Sequence, residues 1–155
     1  MKYMSFYISK RRFCLALAIT VFVCLAVTAE PADEELEFNV EGKFKIVQFT
    51  DIHWRHGSRN CIKVLQIMAS VLDAERPDVV ILTGDIVKSK PARAGWLAVI
   101  QPMVERKIPW VVTLGNHDDE FDLNRVEIIS PLEKQPYSLV VSGPADVAGE
   151  GNYIL

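Results

Sequence analysis

Leu-Gly-Asn-His-Asp-Asp, residues 114–119, is the stretch that decides the fold. It ends the apolar run 108–114, which predicts a buried strand. The glycine lets the backbone turn sharply, and an amide, an imidazole and two carboxylates then occupy four consecutive positions. Such a density of metal-ligand groups directly after a buried strand predicts a functional site at the carboxyl end of that strand.

Two earlier stretches have the same design. The run 44–50 ends at Asp51 and His53, and the run 79–83 leads through a glycine to Asp85. Because alternate residues of an extended chain point to the same side, Asp51 and His53 are expected to hold one cation together. The carboxylate of Asp85 has two oxygens with which it can bridge two cations.

Helical periodicity separates these strands. Apolar residues recur at helical spacing over 60–74 and 91–107, a short third helix is predicted at 122–131, and a further strand at 137–141. The first strand, 44–50, is expected to be buried on both faces. The alternation predicts an α/β fold of parallel βαβ units, whose strands all present their carboxyl ends at one edge of the sheet. The candidate ligands should therefore converge.

The first thirty residues are different in kind. Four basic residues precede the apolar run 13–27, and small or short residues follow at the positions that signal peptidase reads. This pattern predicts a signal peptide at residues 1–29, cleaved near Ala29, and an exported protein. The alternative is an uncleaved membrane anchor, but the run falls short of the roughly 20 residues that a spanning helix needs, so no stable membrane span is expected. An acidic leader is predicted at 30–43.

Composition excludes several classes of protein. With 155 residues, half of them hydrophobic and 24% charged, the chain is typical of one globular domain. A net charge of -3 gives no argument for nucleic-acid binding.

Cys14 and Cys24 lie in the predicted signal, so a mature chain has only Cys61 and no internal disulfide. Lipid attachment at Cys24 is disfavoured because the residues before it are not small, and Cys61 is interpreted as a small buried apolar residue.

The motifs Asp51-Ile52-His53, Gly84-Asp85 and Gly115-Asn116-His117-Asp118 together resemble the first three motifs of the calcineurin-like metallophosphoesterase superfamily. The similarity extends over residues 44–155 and is to the branch related to purple acid phosphatases. It implies the first half of a four-layer αββα sandwich. Purple acid phosphatases have a tyrosine where this chain has Trp54, so a tyrosinate-bound ferric ion is not implied.

The resemblance implies a site for two divalent metal ions, with Mn, Zn or Fe the best match to the ligands. Asp51 and His53 would bind the first ion and Asn116 the second, with Asp85 bridging both. The implied reaction is hydrolysis of a small-molecule phosphoester, in which the ions neutralise phosphate charge. Whether the substrate is a monoester or a diester stays open, as does the oligomeric state.

Two further roles follow from the same resemblance. His117 would protonate the leaving oxygen. Asp118 would orient His117 without itself contacting the metal ions or the substrate. Arg55, His56 and Arg59 of the first loop are interpreted as solvated, with contact to a substrate phosphate as the alternative.

One departure from the family concerns the metal ligands. Members complete both metal shells with histidines from two later motifs, whereas the histidines of this chain are His53, His56 and His117. We therefore expect the chain to be the N-terminal part of a longer enzyme, with an incomplete second metal site and little or no activity. The alternative is a non-catalytic, metal-binding remnant of such an enzyme.

Overall fold

A computed structural model describes residues 36–155, so the predicted signal peptide and the first part of the acidic leader lie outside the described residues. The elements are β1 Ile46–Phe49, α1 Arg59–Glu75, β2 Val79–Thr83, α2 Ala92–Arg106, β3 Trp110–Thr113 and α3 Arg125–Leu132. The three strands form one parallel sheet in the order β1-β2-β3. The predicted α/β fold of parallel βαβ units is confirmed. No helix within residues 36–155 is both long enough and apolar enough to cross a bilayer.

The core lies between one face of the sheet and the helices. The strand register pairs Val80 with Trp110 and Leu82 with Val112, which places these four side chains on one face. All four are fully buried, in the same cluster as Trp96 of α2. Burying a side chain of this size contributes about 1.5–3 kcal/mol, so this layer holds β2 and β3 firmly in place.

The prediction that the first strand is buried on both faces is wrong. Strand β1 begins at Ile46, and Ile46 and Gln48 are exposed while Val47 and Phe49 are half-buried. Within the described part of the chain, β1 is an edge strand that pairs only with β2. Only the side chains that face the helices are therefore covered.

The strand predicted at 137–141 does not form. Trp110 makes a single parallel bridge to Ser138 there, and no ladder follows among the described residues. The next edge position of β3 is occupied by Tyr153, whose hydroxyl accepts a bond from the Val112 N–H at 3.0 Å and donates one to the Val112 carbonyl at 2.6 Å. Side-chain and isolated backbone bonds thus take the place of a fourth strand.

The helices begin close to the predicted positions, with different caps. The N-cap of α1 is Ser58 and not Asn60, and Pro91 is the N-cap of α2. Helix α3 begins later than predicted because Asn124 and Glu127 form a capping box. Each side chain accepts a bond from the other residue's backbone N–H, at 3.0 and 2.8 Å.

Candidate metal centre

The loops that follow β1 and β2 are bonded to each other at the carboxyl edge of the sheet. The Asp51 N–H donates to the Gly84 carbonyl at 3.1 Å, and the His53 N–H donates to the Asp85 carbonyl at 2.9 Å. Asp51, His53 and Asp85 have positive φ values of 52°, 48° and 54°. Residues other than glycine rarely adopt this left-handed conformation, and such strained residues concentrate at functional sites.

Three of the candidate residues form a compact cluster. His53, Asp85 and His117 each place one potential ligand atom within 4.8 Å of the other two. His53 Nε2 lies 3.4 Å from Asp85 Oδ2, and the two imidazole rings meet edge to face with centroids 5.6 Å apart. All three residues are half-buried. Two imidazoles and a carboxylate suit Mn, Zn or Fe, so the donor set fits a divalent metal ion.

Asp85 is held in its ionised form. The His117 backbone N–H donates to Asp85 Oδ1 at 3.0 Å. This bond, together with the His53 ring, lowers the pKa of Asp85 against the effect of desolvation, which raises it. A carboxylate must lose its proton to bind a metal, so the surroundings of Asp85 favour a cation.

Two glycines allow the loops after β2 and β3 to approach this closely. A Cβ atom at Gly115 would overlap the Asp85 Oδ1 and backbone nitrogen. Gly84 has a φ of +87°, and a Cβ atom there would lie 2.7 Å from the Gly115 nitrogen. The backbones of the two loops therefore approach too closely for a side chain at either position, and Gly84 also has a backbone angle that favours glycine.

Asp118 is fully buried, and its carboxylate accepts four backbone hydrogen bonds. The donors are the N–H groups of Asp85, Ile86, Val87 and Gly115, at 2.8–3.0 Å. None of its hydrogen bonds within residues 36–155 goes to the His117 ring, so the proposed orientation of His117 by Asp118 is not made through such a bond. Asp118 instead fastens the loop after β2 to the loop after β3.

Glu120 contacts His117, a pairing that the sequence reasoning missed. Glu120 Oε1 lies 2.7 Å from His117 Nδ1. The two atoms lie within ion-pair distance, and the buried Nδ1 has no hydrogen-bond partner among the described residues. The available signal was an acidic residue three positions after the histidine, a spacing that brings side chains together in a tight turn.

The other two predicted ligands, Asp51 and Asn116, lie on the same loops, and Asp51 is not part of the cluster. Asp51 is exposed, and its carboxylate accepts a bond from the Thr50 hydroxyl at 2.7 Å. Asn116 is exposed between Gly115 and His117. The structure thus brings three predicted site residues together and exposes the other two on the same loops.

Comparisons with known proteins identify the family and several relatives of this chain. The family model for calcineurin-like phosphoesterases matches residues 44–150. "Probable inactive purple acid phosphatase 29" of Arabidopsis thaliana is 34% identical over an alignment of 166 positions, gaps included. The alignment covers 90% of this chain and 43% of the relative.

Two further relatives give a similar picture. "Phosphatase DCR2" of Saccharomyces cerevisiae is 35% identical over 83% of this chain and 26% of its own length. "Probable inactive purple acid phosphatase 14" of Arabidopsis thaliana is 30% identical over 95% of this chain and 44% of its own length. The chain spans less than half the length of each of these relatives. No solved structure matches the chain significantly.

Proposed function

The chain belongs to the calcineurin-like phosphoesterase family, and we propose that its three loops form the metal centre of an exported phosphoester hydrolase. The observation that carries this proposal is the convergence of His53, Asp85 and His117, with ligand atoms within 4.8 Å of one another. The proposed substrates are small-molecule phosphoesters. The proposed domain boundaries are a signal peptide at 1–29, a leader at 30–43 and a metallophosphoesterase domain at 44–155.

The proposed ligands divide between two metal ions. Asp51 and His53 would hold the first ion, Asn116 would hold the second, and Asp85 would contribute to both. When bound, two divalent ions neutralise phosphate charge and activate water for an in-line displacement. The lowered pKa of Asp85 supports its assignment, because it favours the ionised carboxylate that a metal ligand needs.

His117 is the proposed general acid. Its Nδ1 faces Glu120, which leaves Nε2 as the ring nitrogen for a substrate oxygen. A proton on Nε2 is transferred to the leaving oxygen as the ester bond breaks. Asp118 acts through the backbone, since its bonds to Asp85 and Gly115 set the distance between the two loops that carry Asp85 and His117.

A second candidate function is metal binding without turnover. Two relatives from Arabidopsis thaliana have names that call them probable inactive phosphatases. Asp85 and Asn116 are the proposed ligands of the second ion, and two ligands hold an ion weakly. A protein with only the first ion would bind metal but lack the paired charge on which phosphoester hydrolysis depends.

Elemental analysis and two assays distinguish these functions. The chain is expected to retain divalent metal after dialysis and, because its second metal site is incomplete, to hydrolyse p-nitrophenyl phosphate or its bis-ester only weakly. Asp85→Asn should lose most of the metal and the activity, whereas the control Glu75→Gln, exposed on α1, should keep both. Metal without hydrolysis supports the second function, and a wild-type chain that binds no metal contradicts both.

Export is tested separately. Edman sequencing of the protein recovered from the medium or periplasm should start at Glu30 if cleavage follows Ala29. A protein that stays in the membrane fraction with its N-terminus intact would contradict the proposed signal peptide.

A further inference from the structure

Basic residues gather beside the candidate metal centre, although the whole chain has a net charge of -3. Residues 52–72 and 86–104, which directly follow Asp51 and Asp85, contain six Lys or Arg and no Asp or Glu. We call these six residues the cationic rim: Arg55, Arg59, Lys63, Lys88, Lys90 and Arg93. Five of the six are exposed and Lys88 is half-buried. None forms an ion pair with any residue in the described range 36–155.

The two loops that carry the rim are bonded into one surface. The Trp54 N–H donates to the Ile86 carbonyl at 2.8 Å, and the Lys88 N–H donates to the Trp54 carbonyl at 2.9 Å. The His56 N–H donates to the Ser89 hydroxyl at 2.9 Å. Basic residues of the first loop therefore lie beside those of the second, a few residues beyond the candidate ligands of each loop.

Both long helices begin at this rim. Arg59 is the first residue of α1, Lys63 follows it on the same helical face, and Arg93 lies in the first turn of α2. Neither helix has an acidic residue in its first turn. The N-terminus of α2 is capped by a carboxylate, because the Ala92 N–H donates to Asp122 Oδ1 at 2.9 Å. The partial positive charge of the α1 N-terminus adds to the charge of the side chains.

The segregation of charge distinguishes this rim from an ordinary solvated surface. Outside the two stretches, residues 36–155 contain 16 Asp or Glu and seven Lys or Arg. Like charges on neighbouring loops repel one another, and no described carboxylate relieves the repulsion by pairing with the rim. A bound anion would relieve it.

We propose that the cationic rim binds a second phosphate group of the substrate, so that preferred substrates carry one phosphate at the metal centre and another beside it. The inference rests on the proposed function, because the metal centre is taken as the place of the reacting phosphate. Arginine offers a planar fork of donors to phosphate oxygens, and lysine offers a compact point charge. The three Arg and three Lys residues of the rim supply both kinds of contact.

A matched pair of substrates tests the proposal. 4-(Phosphonomethyl)phenyl phosphate and p-tolyl phosphate both release a para-alkyl phenolate, and the two phenolates differ only in the phosphonate that the first one carries. The full chain should hydrolyse the first with a kcat/KM about tenfold higher at low salt, because each exposed charge pair contributes up to about fivefold. Raising the ionic strength should reduce this preference, since salt shortens the range of the interaction. Equal kcat/KM values for the two substrates would overturn the proposal.

The double variant Arg59→Gln/Lys90→Gln removes one exposed cation from each of the two stretches that supply the rim. It should lower the preference for the phosphonate substrate by about fivefold or more, while the matched control Lys134→Gln, exposed after α3, should preserve it. Thermal unfolding of both variants confirms that they are folded. An unchanged preference in the folded double variant would overturn the proposal.

Binding without turnover separates failure of this inference from failure of the proposed function. Benzylphosphonate should bind the metal-free chain in EDTA, as measured by tryptophan fluorescence, and bind less tightly to the double variant. If benzylphosphonate binds the wild type more tightly than the double variant, but neither substrate is hydrolysed, the proposed hydrolase function is refuted and the proposed phosphate-binding role of the cationic rim is kept. If both substrates are hydrolysed with equal kcat/KM and benzylphosphonate does not bind, the role of the cationic rim is refuted and the hydrolase function is kept.

Discussion

Replacing Asp118 with Asn should destabilise the protein more than its small chemical change suggests. Oδ1 accepts the N–H groups of Ile86 and Val87, and Oδ2 accepts those of Asp85 and Gly115. The amide of Asn keeps one oxygen and puts an NH2 group, which is a donor, in the other position. Either orientation therefore leaves two backbone donors unpaired.

The cost follows from the number of donors that lose their acceptor. A buried donor without a partner costs about 1–3 kcal/mol, so two of them cost about 2–6 kcal/mol. That is a large part of the roughly 5–15 kcal/mol by which a domain is stable. The loss should also loosen the two loops against each other, and metal content should fall together with stability.

Urea unfolding followed by circular dichroism measures the change in the free energy of unfolding. The matched control is Asp119→Asn, the neighbouring carboxylate, which pairs with Arg125 at the surface and should cost less than about 1 kcal/mol. If Asp118→Asn unfolds within about 1 kcal/mol of the wild type, the four bonds do not fasten the loops, and the assigned role of Asp118 is refuted.

Three further predictions concern the same loops and the edge of β3. Gly115→Ala should displace the Asp85 carboxylate, because a Cβ atom would overlap it, and elemental analysis should find less metal. The backbone N–H of His117 lowers the pKa of Asp85 in the folded protein. The stability that Asp85 contributes is therefore present above the pKa that it has in the unfolded chain, and it is lost as the pH falls through the lowered pKa. Unfolding free energies measured at decreasing pH should show this loss in the wild type and not in Asp85→Asn. Tyr153→Phe should cost about 1–3 kcal/mol in urea unfolding, because the N–H and carbonyl of Val112 lose their partner, and a cost near zero would show that water replaces it.

Several features could be predicted because they depend on neighbours along the chain. The strand at 79–83 was predicted with the bounds that the structure shows, since a short apolar run between a proline turn and a glycine leaves little choice. Helical periodicity located α1 and α2 to within a residue or so for the same reason. The net charge, in contrast, averages over the whole chain and hid the separation of basic from acidic residues.

The sequence by itself determined the α/β class, the order of the elements and the three loops that carry the candidate ligands, because each depends on periodicity and turn residues that are local. Tertiary structure decided which groups meet. The bonds of Asp118 to Asp85, Ile86 and Val87 join residues more than thirty positions apart, and the exposure of β1 depends on the absence of a second neighbouring strand within the described chain. Such contacts depend on the distance between folded elements, and spacing along the chain does not encode that distance.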